Sequence, residues 1–346
     1  MQADIGVELA GMFDPEGTRD VIHRVDALGG DFLWWADYRF YRDVYSMLTR
    51  TALYSDRLRY GTFVTDPFAR HPALTALAMA TADELGGGRG VLGLGAGVSG
   101  LREMRIPRER PAIRISEAID VIRALWRDGE ATYEGETVSF DGHLDFAARP
   151  HIPIFVASNS RRTLSVAGRR AEGVIVEGLC RPAMLDYVFE HVQRGLDASG
   201  RTWSDLYSVA RLDLCIHPDP QVARELARHR VQHYVSVHGA ARWPDLAELL
   251  PDGLEDEIKA AGFTHDPAVV EPLVAQIPDE AGELIALVGD PDEVGRQLER
   301  VSAMPISQIS VFPIPSPPRG HSIPDVLELF ASVLRQLSQA GERTAP

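Results

Sequence analysis

Four clusters in the sequence carry residue types capable of chemistry. Trp34-Trp35-Ala36-Asp37-Tyr38 sets a carboxylate and a phenol directly behind an apolar run. If that run is a strand of a parallel barrel, both groups lie just past its C-terminal end, where such barrels build their active sites. There they could hydrogen-bond a substrate or move a proton. The same residues fit a plainer role, with the tryptophans as packing and Asp37 closing a loop, and periodicity does not separate the two. Ala157-Ser158-Asn159-Ser160-Arg161-Arg162-Thr163 is a small-residue turn running into a helical pattern. Free N–H groups at a helix start, with two arginines beside them, suit an anion; Ser160 could equally be a simple N-cap. Gly95-Ala-Gly-Val-Ser-Gly100 matches the spacing of a dinucleotide-binding loop, but no helix opens on its last glycine. Glu117 and Asp120, about 20 residues on, sit in an amphipathic pattern rather than at a strand end, so the loop reads instead as glycine-rich backbone at a barrel mouth. His229 and His233 stand at i and i+4, a zinc-like spacing with no third ligand beside them, so a solvated helix face is expected and no metal. The sequence contains no P-loop, G-x-S-x-G elbow or H-E-x-x-H motif.

The elements that must position these groups follow from hydropathy patterning. Candidate strands are Ile5–Leu9, Phe32–Ala36, Leu58–Val64, Gly90–Leu94, Ile154–Ala157, Gly173–Val176, Leu206–Ile216 and Gln308–Phe312. Helical patterns alternate with them at Glu16–Leu28, Val44–Tyr54, Ala73–Leu85, Ile113–Arg127, Thr163–Arg170, Ala183–Ser199, Pro220–Val235 and Pro291–Ser302, and Ile323–Leu337 closes the chain. Eight such pairs in one domain of residues 1–346 predict an α/β fold, a (β/α)8 TIM barrel. Asp290-Pro291-Asp292-Glu293 supports the count with an N-cap, a first-turn proline and acidic residues; His71-Pro72 lacks a good cap. Two insertions interrupt the repeat. Tyr133–Phe146, after the fourth helix, reads as a hairpin turning at Asp141-Gly142. Residues 236–285, after strand seven, carry five prolines and are expected over the active-site mouth.

Lys and Arg total 35 against 50 Asp and Glu, a net charge of −15, which argues against nucleic acid or an anionic membrane as partner. Two cysteines, Cys180 and Cys215, make no disulfide framework, and residues 1–11 show no secretory pattern, so a cytoplasmic location is expected.

Several stretches together resemble the luciferase-like monooxygenase superfamily, and within it the methylenetetrahydromethanopterin reductase group, which uses the deazaflavin coenzyme F420. They are Leu58-Arg-Tyr-Gly-Thr-Phe-Val-Thr-Asp-Pro-Phe-Ala-Arg-His-Pro-Ala-Leu-Thr-Ala76, Ala80-Thr-Ala-Asp-Glu-Leu85 and Gly88-Arg-Gly-Val-Leu-Gly-Leu-Gly-Ala-Gly97. Arg114-Ile-Ser-Glu-Ala-Ile119, Leu125-Trp126, Ala167-Gly168, Glu172-Gly173 and Val288-Gly-Asp-Pro-Asp-Glu-Val294 follow in family order.

The resemblance implies a non-prolyl cis peptide at Phe63-Val64 against the cofactor ring. It places Asp37 near the reactive edge of that ring and Glu8, ending strand one, in the pocket wall. Thr65, Gly95, Gly97 and Ser99 would line the rest. A phosphate or phospholactyl group would rest on Ser158, Asn159, Ser160, Arg161 and Arg162. The chain departs from the pattern at Tyr38, where many members have histidine, and at Phe63, where a small residue is common in the reductase group. A phenol can donate a hydrogen bond or proton but is a poorer base than imidazole at neutral pH. The function so implied is hydride transfer between F420 and a small organic substrate by a homodimer. The alternatives are an FMN-dependent monooxygenase fed by a partner flavin reductase, or a non-catalytic ligand-binding barrel.

Overall fold

Apolar runs too short for helices become strands, and the amphipathic stretches between them become helices, in the computed structural model, which describes residues 3–97, 100–243, 245–262, 264 and 266–344. The strands are β1 (Asp4–Ala10), β2 (Phe32–Ala36), β3 (Arg59–Thr62), β4 (Gly90–Leu94), β5 (Glu130–Glu134), β6 (Ser139–His143), β7 (Ile154–Ala157), β8 (Gly173–Glu177), β9 (Tyr207–Ile216), β10 (Ala286–Gly289) and β11 (Gln308–Pro313). The first helices are α1 (Pro15–Ala27), α2 (Val44–Tyr54), α3 (Pro72–Leu85), α4 (Pro111–Asp128), α5 (Arg161–Arg170), α6 (Pro182–Ser199) and α7 (Pro220–His238). After them come α8 (Leu246–Leu249), α9 (Leu254–Ala261), α10 (Pro267–Val274), α11 (Asp279–Gly282), α12 (Pro291–Ser302) and α13 (Ile323–Thr344).

The main sheet runs β10-β9-β11-β1-β2-β3-β4-β7-β8, and β9 also pairs with β8. Eight strands therefore close a ring, the (β/α)8 barrel expected from the sequence, and β10 is an additional strand paired to β9 in parallel. Beginning one residue after the 236–285 insertion, β10 was not among the expected strands; four residues are too few to show a period.

The chain forms two compact units. One comprises Asp4–Val176 and Val188–Val209, the other Met1–Ala3, Glu177–Tyr187 and Ala210–Pro346. In the first unit β1, β2, β3, β4, β7 and β8 pair side by side in parallel. A connected set of inward side chains, Phe32, Trp34, Phe63, Val91, Phe155, Ile175 and Val209, fills the space they enclose. Phe32 stacks on Trp34 at 5.2 Å, and Trp34 meets Phe63 at 5.1 Å and Phe155 at 5.9 Å. Full burial of each such ring contributes roughly 2–3 kcal/mol, so this layer is a main source of the unit's stability.

The hairpin between α4 and β7 is present, but its turn is not Asp141-Gly142. Those residues lie within β6, opposite Thr132 and Ala131, and the reversal occurs where Gly135 N–H bonds to the Val138 carbonyl. Buried Glu117 of α4 fixes the turn there. Its Oε1 accepts from Glu136 N (2.6 Å), and its Oε2 accepts from Thr137 N (2.8 Å), Val138 N (3.0 Å) and the Thr137 hydroxyl (2.5 Å). His71 also departs from expectation, because its Nδ1 accepts from Ala73 N at 3.2 Å and does cap α3.

In the second unit α9, α10 and α11, from the proline-bearing segment, pack on α7. The α7 face carrying His229 and His233 is not simply solvated. Arg230 of the same face reaches fully buried Asp213 at 2.6 Å, and Arg211 reaches it from the other side at 2.6 Å. Burial alone would raise the Asp213 pKa, but Arg230 and then Arg211 outweigh it and hold the carboxylate low. Burial, reinforced by Arg230, pushes His233 down to about 3, so this ring stays neutral; His229 faces Glu271 at 3.6 Å. Among the described residues no group of three or more His, Cys, Asp or Glu could hold a metal ion, and no helix is long and apolar enough to cross a membrane. Cys180 and Cys215 are free thiols whose pKa values burial pushes far up.

Candidate active site

The first unit presents the C-terminal ends of β2, β3, β4 and β7 side by side, because all four strands run parallel. Each end releases its chain into a loop carrying polar side chains, so residues distant in sequence meet there.

Asp37 follows β2 directly. One carboxylate oxygen accepts from the Thr65 hydroxyl at 2.7 Å, and the other lies 2.6 Å from Arg39 Nη1. Arg39 Nη2 ion-pairs with Asp66 Oδ2. Asp66 Oδ1 accepts from the backbone N–H groups of Phe68 and Ala69, both at 2.8 Å, which curls the loop after β3. The resemblance puts Asp37 and Thr65 in one pocket but says nothing of the bond between them, and nothing in the sequence singles out Arg39 or Asp66. Their separation of 27 residues gives no periodic signal, so only the adjacency of β2 and β3 joins them. Behind Thr65, burial pushes the Tyr45 phenol up to about 12, with the Asp37 charge also raising it, while Thr65 and Arg70 pull against that rise. Tyr45 is thus a neutral wall.

Tyr38 is half-buried, its ring edge-on to Tyr41 at 6.0 Å. Glu8 is buried and pairs in register with Trp34, but β1 runs on to Ala10, so Glu8 lies inside the strand and does not end it. The Phe63-Val64 peptide is cis. The Phe63 ring turns into the aromatic core against Trp34, while Val64 is half-buried at the strand end.

The loop after β4 rests on these groups. Thr65 pairs with Leu94 as an isolated bridge, and a Cβ on Gly95 would sit 2.4 Å from Val64 Cγ2. Gly97 and Gly100 adopt φ of +58° and +68°, the left-handed region glycine tolerates. A Cβ on Gly97 would lie 2.7 Å from Asp66 Cβ, and one on Gly100 2.3 Å from Arg39 Cβ. The glycine-rich segment is therefore backbone pressed against Val64, Asp66 and Arg39, a requirement the G-x-G-x-x-G spacing did not reveal. Ser99 lies outside the described residues.

Beyond β7, Ser160 occupies the N-cap of α5 with an extended backbone, yet its hydroxyl makes no capping bond. It donates instead to Thr163 Oγ1 at 3.0 Å, while Ser160 N donates to Ser158 Oγ at 2.9 Å. The simple N-cap reading of Ser160 therefore does not account for this turn. Arg161 and Arg162 open the helix and are exposed, and Asn159 is buried beside them. This arrangement offers positive charge and helix N-terminal N–H groups at one strand end, and a held carboxylate at another.

The family model for luciferase-like monooxygenase matches residues 2–308. The chain is 30% identical over 287 residues to 5,10-methylenetetrahydromethanopterin reductase of Archaeoglobus fulgidus, covering 81% of this chain and 84% of that one. It is 30% identical over 257 residues to F420-dependent glucose-6-phosphate dehydrogenase of Microbacterium testaceum, covering 72% and 69%. The structure of the coenzyme F420-dependent tetrahydromethanopterin reductase of Methanopyrus kandleri superposes with a TM-score of 0.79 at 22% identity, over 96% of this chain and 98% of that one.

Proposed function

Because the chain belongs to the luciferase-like monooxygenase family, we propose that it is an oxidoreductase transferring a hydride between coenzyme F420 and a small organic substrate. The observation that carries this reading is the presence, at the C-terminal ends of strands of one parallel sheet, of a carboxylate fixed by Arg39 and Thr65 after β2 and, after β7, a helix start that lacks a side-chain cap and bears Arg161 and Arg162. The residues present fit F420. Its acidic tail suits the α5 N-terminus, Ser158, Asn159, Ser160 and the two arginines. Its flat ring suits the strand-end surface of half-buried Val64 and Gly97, with buried Thr65 and Gly95 beside them, where a Cβ at either glycine would push on Val64 or Asp66.

When bound, F420 would supply the hydride chemistry; the chain supplies position and charge. Asp37 engages each oxygen once, which leaves lone pairs to orient an N–H or O–H of cofactor or substrate. The Tyr38 hydroxyl is a candidate donor on the same loop, and Glu8 adds a buried carboxylate on the neighbouring strand β1. We also propose a homodimer, on the ground that Leu53 of α2 and Leu74, Leu77 and Leu85 of α3 are exposed.

Titration of the purified chain with F420 and separately with FMN tests the assignment. Micromolar or tighter F420 binding is expected. Tight FMN binding without F420 affinity, together with substrate-dependent oxygen consumption, would replace the proposal with a flavin monooxygenase.

A further inference from the structure

Three loops of the site meet on one ion pair. Arg39 belongs to the loop after β2 and Asp66 to the loop after β3, and the loop after β4 lies against both, Gly97 on Asp66 and Gly100 on Arg39. The guanidinium also holds Asp37, touching its carboxylate at 2.6 Å and donating to its backbone carbonyl at 3.0 Å. Asp66 divides its work between its oxygens, Oδ1 shaping its own loop and Oδ2 meeting Arg39. All three charged side chains are largely removed from water: Arg39 is 13% exposed, Asp37 14% and Asp66 3%. An arginine between two carboxylates in so little water cannot be deleted cheaply, because both would then lose their shared counter-charge.

We propose that Arg39 and Asp66 are positioning residues, a clamp that sets the cofactor-facing backbone at Thr65, Gly95 and Gly97 and holds Asp37 in its acceptor orientation. The inference rests on the F420 reading for its ligand, but the fastening of the loops stands apart from it. The clamp acts through Asp37 and the loop backbone and does not itself touch substrate. It explains why glycines recur at positions 97 and 100: the loop after β4 must lie flat on the ion pair to face the site.

The test uses the full chain with Arg39→Gln, Arg39→Lys, Asp66→Asn and the Arg39→Gln/Asp66→Asn double variant. Asp66→Asn keeps the Oδ1 acceptor for Phe68 and Ala69 but loses the charge facing Arg39. The expected result is about tenfold weaker F420 binding for Arg39→Gln and for Asp66→Asn, with the double variant no worse than the poorer single one. Arg39→Lys should fall between wild type and Arg39→Gln, since an ammonium reaches one carboxylate at a time. The KM for F420 should rise more than kcat falls. Hydrogen exchange of residues 37–43, 65–70 and 95–105 should quicken in the variants with or without cofactor. Single variants that bind F420 within twofold of wild type, or single effects that multiply in the double variant, would overturn the clamp. Should wild type bind FMN but not F420, the cofactor assignment fails and the same series is titrated with FMN. Should it bind neither, unchanged exchange in the three loops refutes the clamp and faster exchange supports it.

Discussion

Replacing Glu117 by glutamine probes how a buried carboxylate shapes a loop. In wild type Glu117 accepts four hydrogen bonds, from three successive backbone amides and one hydroxyl. Burial alone would raise its pKa, but bonds from the Thr137 hydroxyl and from the Glu136, Thr137 and Val138 amides outweigh that effect and lower it. Glutamine retains one carbonyl oxygen: at the Oε2 position it keeps the three bonds from Thr137 and Val138 but turns its NH2 toward Glu136 N–H, so one bond is lost and the other three no longer reach a charged acceptor. The loss of one bond to a charged group, roughly 1.5–3 kcal/mol, together with the weakening of the other three, makes the expected destabilisation about 3–4 kcal/mol at pH 7. A chain of 346 residues has an unfolding entropy of about 0.7 kcal/mol/K, so Tm should fall by roughly 4–6 °C. The pH dependence has a definite sign. The folded pKa lies below the ordinary value of 4.5, so this stabilisation is fully present above 4.5 and is lost as pH falls through the lowered folded value. Wild type and Glu117→Gln should therefore differ at pH 7 and converge in acid. Thermal and urea unfolding at pH 7 and in the acid range measure both. A difference below about 0.5 kcal/mol at pH 7, or one that persists unchanged in acid, would refute the account.

Other expectations concern the site and its surroundings. Asp37→Asn should lower kcat/KM by about a hundredfold while leaving Tm nearly unchanged; a Tm loss with normal turnover would make Asp37 only a loop residue. Arg161→Ala/Arg162→Ala should weaken F420 binding roughly tenfold and flatten its salt dependence, measured by titration at low and high salt. Leu77→Glu should shift the chain toward monomer in light scattering, and an unchanged mass would place the subunit contact elsewhere or remove it.

Much of the scaffold was legible in the sequence. Phe32–Ala36, Gly90–Leu94, Ile154–Ala157, Val44–Tyr54 and Pro291–Ser302 appear in the structure with the bounds their patterning predicts. Buried parallel strands are continuous apolar runs and amphipathic helices repeat every 3.6 residues, so both are written locally. The ordered family resemblance also located the cis peptide at Phe63-Val64. Asp37 and the turn at Ser158–Arg162 stand out from the residues themselves, and the resemblance adds Thr65; the structure sets them after β2, β7 and β3, in a sheet ordered β2-β3-β4-β7.

What the sequence could not express was partnership across strands. The hairpin turns at Gly135–Val138 and not at Asp141-Gly142 because a carboxylate from α4 supplies acceptors there; local turn propensity knows nothing of that helix. His229 and His233 look like a solvated face until β9 brings Asp213 to Arg230 of the same helix and burial takes His233 from water. At the site itself, Asp37 could be named from its place after a strand. Its fixed orientation depends on Thr65, Arg39 and Asp66, which only the parallel adjacency of β2 and β3 brings within bonding distance. Strands and helices are determined by nearest neighbours along the chain, whereas the charge and geometry of the site are determined by neighbours in space.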